Sequence, residues 1–119
     1  MTDIKTLNDN LRKSFIGGRV ILTQGINAKM PRDIARILAK VRNFNNFTKD
    51  NDPYGEHDFG SFDYNGEKIY WKIDYYDKSY CYLSENPANL DITNRVLTVM
   101  LADCLLYTSP SPRDGLLSR

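Results

Sequence analysis

The dipeptide Asn65-Gly66 constrains the fold more than any other feature of this sequence. It stands between residues 59–64 and 67–76, two segments in which apolar and polar residues largely alternate. An Asn-Gly pair in that setting favours a type I′ turn, because both central residues of that turn need a positive φ. The sequence therefore predicts a β-hairpin whose two-residue loop fixes the register of every cross-strand pair.

The predicted register places Trp71 on the buried face of this hairpin. The cross-strand partner of Trp71 is Gly60, where the missing side chain leaves room for the indole ring. Phe62 and Ile69 share the same face, because side chains along a strand alternate between the two faces of a sheet. We therefore expect this face to pack against the helices.

Apolar residues at helical spacing predict three helices. The first covers about residues 4–15, and the second starts at Pro31, a residue that suits the first turn of a helix. The third starts at Asp91, although its β-branched residues leave a strand as an alternative. The three apolar stripes consist of Ile4, Leu7, Leu11 and Phe15; of Ile34, Ile37, Leu38 and Val41; and of Ile92, Val96, Val99 and Met100.

Further segments complete the predicted sheet. Residues 19–24, RVILTQ, are short, β-branched and flanked by glycines, which predicts a strand. Residues 25–30 are expected to form a loop, and residues 80–83 are a candidate for an additional pairing. The order of elements predicts a single α+β domain over residues 1–103. It has a small, mostly antiparallel sheet of three to four strands, with the Asn-Gly hairpin at its centre and about three helices packed on one face.

Residues 104–119, CLLYTSPSPRDGLLSR, differ from the rest of the chain. They contain two Ser-Pro steps and show neither helical nor strand periodicity. The string resembles the translated read-through of a transposon-end adapter used in sequencing libraries. We predict that it forms a non-native, disordered tail, and the fold prediction leaves it out.

Composition narrows the classes of protein to which the chain can belong. Its net charge is +1, which gives no indication of a nucleic-acid partner. No apolar run approaches the roughly 20 residues that span a bilayer, and the first residues lack the pattern of a signal peptide. Cys81 and Cys104 provide neither a disulfide framework nor a metal-ligand spacing. A cytoplasmic protein without a membrane partner is the expectation.

The hairpin also suggests a site. If strand pairing continues beyond the predicted strand end, the only histidine, His57, comes opposite Asp74. A carboxylate beside an imidazole can fix its tautomer, so His57, Asp74 and the nearby Lys72 are candidate catalytic residues for acid/base chemistry. We expect His57 and Asp74 to lie within hydrogen-bonding reach, directly or through one water. A metal of unknown identity would suit the same place if Asp52 converged with these two side chains.

A wider set of polar residues around this hairpin are candidates for binding a ligand. The set consists of Asp50, Asn51, Asp52, Glu56, Asp58, Tyr76 and Asp77. A structural interpretation competes with this one, because Asp, Asn and Gly in residues 50–55 also build turns through side-chain hydrogen bonds. No cofactor is predicted, since the sequence has no Gly-rich phosphate loop, nucleophile elbow or Cys/His metal spacing.

Several sequence blocks resemble a bacterial family known as domain of unknown function 3768. The blocks are Gly18-Arg19-Val20, NDPYGEHDFG at residues 51–60, WKIDYYD at 71–77, SENPA at 84–88 and RVLT at 95–98. The resemblance covers about residues 7–102 and implies a bacterial, cytoplasmic protein. It brings no established activity with it. Tyr54 stands where the family often has histidine, which weakens any site that needs a second histidine.

Two classes of function remain open from the sequence. The first is an interaction or regulatory module that binds an unknown protein partner through the Tyr-rich hairpin and the acidic loop, the segment that contains Asp50, Asp52 and Glu56. The alternative is a metal-assisted or acid/base hydrolase or nuclease centred on His57 and Asp74. A concave pocket around those two residues would favour the enzyme. An exposed apolar or aromatic patch would favour the interaction module.

Overall fold

Three helices pack on one face of a four-stranded sheet in the computed structural model, which describes residues 3–102. The elements are α1 (Ile4–Ser14), β1 (Arg19–Leu22), α2 (Gln24–Asn27), α3 (Pro31–Arg42), β2 (Phe59–Tyr64), β3 (Glu67–Tyr76) and β4 (Asn94–Leu101). The strand order is β1-β4-β3-β2; β1 is parallel to β4, and the other pairs are antiparallel. The predicted α+β fold with a mostly antiparallel sheet is confirmed. The predicted tail, residues 104–119, lies outside the described residues.

The hairpin has the predicted turn and register. Asn65 and Gly66 both have positive φ, 50° and 83°, and Gly60 pairs with Trp71. Trp71 is fully buried in the core that the sheet forms with the helices. A Cβ atom on Gly60 would lie 2.6 Å from Nε1 of the indole, so the close packing of this pair requires glycine.

The last predicted helix is wrong, because the segment forms β4 at the centre of the sheet. β4 lies between β1 and β3, and side chains on both of its faces are buried. Leu97 and Val99 belong to the core under the helices, whereas Val96 and Met100 are buried on the opposite face. A strand covered on both faces loses its apolar–polar alternation, so its apolar residues coincide with helical spacing.

The remaining elements follow the predictions with small differences. Residues 24–27 form the short helix α2, which buries Ile26 completely, whereas Gln24 was expected to end the strand and residues 25–27 to lie in a loop. The candidate pairing of residues 80–83 is reduced to a single bridge between Tyr76 and Leu83. α1 begins after Asp3, whose carboxylate accepts a hydrogen bond of 2.9 Å from the Thr6 amide.

α1 carries two polar residues on its buried side. Leu7 and Leu11 are buried as predicted, and Asn8 and Arg12 are buried beside them. A buried amide and a buried guanidinium are costly unless their hydrogen-bonding groups find partners. Both side chains have such partners, on the strands and at the end of α3. We call Asn8, Arg12 and these partners the polar centre of the molecule.

Candidate functional site

His57 is held on the helix-facing side of the sheet, near the end of the α3–β2 loop (residues 43–58). Its Nδ1 lies 3.0 Å and 3.2 Å from the two carboxylate oxygens of Asp9 on α1. Its ring stacks on Phe47, with the ring centroids 3.7 Å apart, and its Nε2 lies 3.7 Å from Oδ2 of Asp52. Two carboxylates and one aromatic ring therefore fix the orientation of the imidazole.

The predicted contact between His57 and Asp74 is wrong. Pairing between β2 and β3 ends at Phe59, and His57 has a φ of 55°, so the chain is no longer extended there. The Asp74 carboxylate instead lies 2.8 Å from Nζ of Lys72. Alternation along β3 places both of these side chains on the face away from the helices. The three predicted catalytic residues are thus divided between opposite faces of the sheet.

The convergence of His57, Asp74 and Asp52 that a metal site would require is not found either. Within residues 3–102, no group of three or more His, Cys, Asp and Glu side chains is arranged to hold a metal ion. Of these three residues, Asp52 lies near His57, whereas Asp74 pairs with Lys72 on the other face.

Within residues 3–102, no helix has the length and apolar character needed to cross a membrane.

The acidic loop residues build turns, as the structural interpretation proposed. Asp52 is buried, and its Oδ1 accepts hydrogen bonds from the backbone amides of Glu56 (2.9 Å) and His57 (3.1 Å). Asn51 donates from its side chain to the carbonyl of Asn46 at 3.0 Å. The other predicted ligand-binding residues are dispersed. Asp50 is exposed, and the Asp58 carbonyl accepts a hydrogen bond from the Ile73 amide. The Tyr76 ring lies 6.2 Å from the Tyr80 ring, and Asp77 lies in the loop that follows β3.

A buried hydrogen-bond network centred on Asn8 connects α1 to two strands and to the acidic loop. The Asn8 side-chain amide donates to the Tyr75 hydroxyl at 2.8 Å and to the Glu56 carbonyl at 3.0 Å. Its Oδ1 accepts from Nε of Arg95 at 2.8 Å. The Tyr75 hydroxyl in turn donates to a Glu56 carboxylate oxygen at 2.8 Å. Asn8 thereby fixes the position of the segment that carries His57.

Burial shifts the protonation equilibria in this network. Desolvation raises the pKa of the Tyr75 hydroxyl well above its ordinary value, and the negative charge of Asp58 raises it further. Tyr75 therefore stays protonated and acts as a hydrogen-bond donor to Glu56. Burial lowers the pKa of the Arg95 guanidinium, while the negative charge of Glu56 opposes that change.

A second ordered segment is the β3–β4 loop (residues 77–93), which is organised around the Asp77 carboxylate. Oδ1 of Asp77 accepts from the hydroxyl and the amide of Ser79, at 2.8 Å and 3.1 Å. It also accepts from the amides of Cys81 (3.2 Å) and Tyr82 (3.4 Å). One carboxylate therefore defines the conformation of the first third of the loop.

The end of the same loop is anchored to the sheet. The hydroxyls of Ser84 and Thr93 lie 2.6 Å apart, and the Thr93 hydroxyl donates to the Asn86 carbonyl at 2.9 Å. Nη2 of the buried Arg95 donates to the Pro87 carbonyl. Although it has no regular secondary structure, the loop has a defined conformation.

The β3–β4 loop exposes an unusual number of large apolar side chains, which we call the apolar loop surface. Its members are Tyr80, Tyr82, Leu83, Leu90 and Ile92. Tyr82 is 74% exposed, Leu83 63% and Leu90 53%. Single exposed apolar residues are normal on protein surfaces, whereas contiguous exposed apolar patches are typical of interaction sites.

The conformation of the β3–β4 loop should depend on pH through Asp77. The hydrogen bond from the Ser79 hydroxyl, with those from the loop amides, lowers the pKa of the Asp77 carboxyl below its ordinary value of 3.8. The stabilisation is therefore complete above that ordinary value and is lost as pH falls through the lower folded-state value. An NMR titration of the Cys81 and Tyr82 amides should show this transition, and Asp77→Asn should remove it. A titration midpoint at or above the ordinary carboxyl pKa would contradict the assigned role of Asp77.

Comparison with known proteins places the chain in a family. Residues 22–103 match the family described as Protein of unknown function (DUF3768). The chain belongs to this family. The DUF3768 match begins at the last residue of β1 and covers all of α2 and α3, the hairpin, the β3–β4 loop and β4. No curated protein and no solved structure matches the chain.

Proposed function

We propose that this domain is a protein-interaction module whose binding surface is the apolar loop surface of the β3–β4 loop. The observation that carries the proposal is the exposure of Tyr82, Leu83 and Leu90 within nine residues of a hydrogen-bonded loop. Exposed apolar side chains lower the free energy of a complex when a partner removes them from water. Tyrosine also contributes strongly to interfaces because it buries a large ring at a small cost in conformational entropy.

The hydrogen bonds within the β3–β4 loop support this proposal. Ordering a flexible loop at an interface costs free energy that weakens binding. Here hydrogen bonds to Asp77 and from Arg95 order the loop within the free domain. Binding therefore requires little additional ordering of the loop. The loop therefore presents its apolar side chains in a conformation that is already suited to binding.

The charges of the loop indicate the chemistry of the partner. The apolar side chains are accompanied by two acidic residues, Glu85 and Asp91, and by one basic residue, Lys78, whereas the Asp77 carboxylate is engaged within the loop. Complementary charge at the rim of an interface speeds association and orients the partners. We infer a protein partner with an apolar groove rimmed by Lys or Arg.

The acidic loop has a supporting role in this proposal. Asp52 and Glu56 use their carboxylates for hydrogen bonds within the domain, to loop amides and to the Tyr75 hydroxyl. Carboxylates engaged in this way position a segment and contribute little charge to an external ligand. The hydrolase alternative loses its geometric basis, because His57 and Asp74 lie on opposite faces of the sheet.

A photo-crosslinking experiment tests the proposed surface in cells that express the protein naturally. A photoreactive amino acid replaces Tyr82 in one variant and Tyr54 in a matched control. Tyr54 is a tyrosine of the acidic loop and is 87% exposed. We expect a discrete cross-linked protein from position 82 and not from position 54. The same cross-linked species from both positions, or none from position 82, would contradict the proposal.

A further inference from the structure

A cleft separate from the apolar loop surface lies between α1, α3 and the α3–β2 loop. Its volume is about 940 Å³, which is within the range of small-molecule sites, roughly 300–1,000 Å³. Its lining includes the charged residues Asp9, Arg12, Lys13 and Arg42 and the rings of Phe44, Phe47 and His57. We call it the α1–α3 cleft.

Two of the charged groups in the α1–α3 cleft are already matched within the domain. Nη1 of the buried Arg12 donates to the carbonyls of Val41, Arg42 and Phe44 at the end of α3, at 2.8–3.2 Å. Nη2 of Arg12 donates to Asp9 at 3.1 Å, and Asp9 also contacts His57. Arg12 thus compensates both the carbonyl end of α3 and the Asp9 carboxylate.

Two further cations on the same cleft have no carboxylate partner. Lys13 and Arg42 are exposed, and neither forms an ion pair with any carboxylate in residues 3–102. The fold brings the Arg42 guanidinium to the backbone of Lys13, because its Nε donates to the Lys13 carbonyl at 3.3 Å. Two cations that line one cleft attract anions, and an anion that reaches both can accept a charge-assisted hydrogen bond from each.

Aromatic rings line the cleft beside these cations. Phe44 and Phe47 meet edge to face with ring centroids 5.1 Å apart, and His57 stacks on Phe47. Small-molecule sites commonly combine apolar and aromatic walls with a few polar groups that orient the ligand. The walls of the α1–α3 cleft have this composition, with Lys13 and Arg42 as the charged groups.

We propose that the α1–α3 cleft binds a small organic anion in which a phosphate or carboxylate is attached to a planar ring. Lys13 and Arg42 bind the anionic group, and the aromatic side chains contact the ring. This site is independent of the proposed partner surface, because it shares no residue with the β3–β4 loop. Loss of one activity would therefore leave the other intact.

NMR titration of the full-length protein tests the proposal with defined probes. Adenosine 5′-monophosphate represents a phosphate on a ring system, and benzoate represents a carboxylate on a ring. Adenosine and inorganic phosphate are the matched controls that lack one part each. We expect saturable shifts of the Lys13, Phe47 and His57 signals with at least one of the first two probes, and weaker binding at higher salt. The preferred probe then distinguishes phosphate from carboxylate.

Variants localise the binding. Lys13→Gln and Arg42→Gln should each weaken the affinity by roughly tenfold or more, since each removes a charge-assisted hydrogen bond. The matched controls are Lys5→Gln on α1 and Arg36→Gln on α3, which make the same charge change outside the cleft. No saturable binding of either anionic probe at millimolar concentration would overturn the proposal. Equal weakening by the control variants, or equally tight binding of inorganic phosphate or adenosine alone, would also overturn it.

Discussion

Replacing Trp71 by alanine is expected to lower the free energy of unfolding by about 3–5 kcal/mol, the range found for large-to-small changes at buried aromatic residues. Trp71 is fully buried between the hairpin and the helices. The edges of Phe44 and Phe47 meet its ring, with centroids 5.6 Å and 6.1 Å away. Alanine would leave a cavity that Gly60, with no side chain, cannot fill. Urea unfolding followed by circular dichroism measures the loss.

A surface tyrosine provides the control for this measurement. Tyr54→Ala removes a large ring that is 87% exposed, and its effect should stay within about 0.5 kcal/mol. A loss of less than about 1 kcal/mol for Trp71→Ala would mean that the core is not built around the indole. The prediction that the Trp71 face of the hairpin packs against the helices would then be wrong.

The second large effect is expected for Arg12→Met, a change that keeps an unbranched apolar stem and removes the guanidinium group with its charge. Arg12 is 1% exposed and donates to three carbonyls at the end of α3 and to Asp9. Net contributions of hydrogen bonds that involve charged groups are about 1.5–3 kcal/mol each, and they are not additive. We expect the free energy of unfolding to fall by about 3 kcal/mol, measured by the same urea titration.

The control for Arg12→Met is Arg36→Met on the exposed side of α3. It removes the same charge without disturbing a buried hydrogen bond, and it should change stability by no more than about 0.5 kcal/mol. Equal effects of the two substitutions would show that Arg12 acts through net charge and not through its buried contacts. Arg12→Met should also weaken the stacking of His57 on Phe47, because the Arg12 guanidinium lies over the Phe47 ring.

The hairpin could be predicted from the sequence because its geometry is determined locally. A two-residue Asn-Gly turn allows one register, and that register fixes both the pairing of Gly60 with Trp71 and the face on which Trp71 lies. No knowledge of the rest of the fold was needed. The same local argument failed just beyond the strand end, because the positive φ of His57 turns the chain away from Asp74.

The central strand could not be assigned for the opposite reason. The residues of β4 are buried on both faces by elements that are distant in sequence, so their pattern carries no strand periodicity. The two possibilities, helix and strand, differ only in tertiary context. The β-branched residues Val96, Thr98 and Val99 were the sequence signal that favoured the strand.

The polar centre was missed because buried polar residues resemble surface residues in a sequence. Asn8 and Arg12 follow Leu7 and Leu11 by one position each, so the buried face of α1 is wider than its apolar stripe. Their spacing of four residues places them on one face of the helix, and that spacing was the available signal. Their partners, Tyr75, Arg95 and the end of α3, become neighbours only through folding.

The central claim, that the β3–β4 loop binds a protein partner, is tested most directly by the affinity of the purified domain for the partner isolated by cross-linking. Isothermal titration calorimetry would compare the natural sequence with the double variant Tyr82→Ser and Leu90→Ser, and with Tyr54→Ser as the control. Because both substitutions remove exposed apolar side chains, the variant should fold normally. We predict a Kd at least about thirtyfold higher for the double variant, as expected for loss of an interface hot spot, and an unchanged Kd for the control. An unchanged Kd for the double variant would contradict the account.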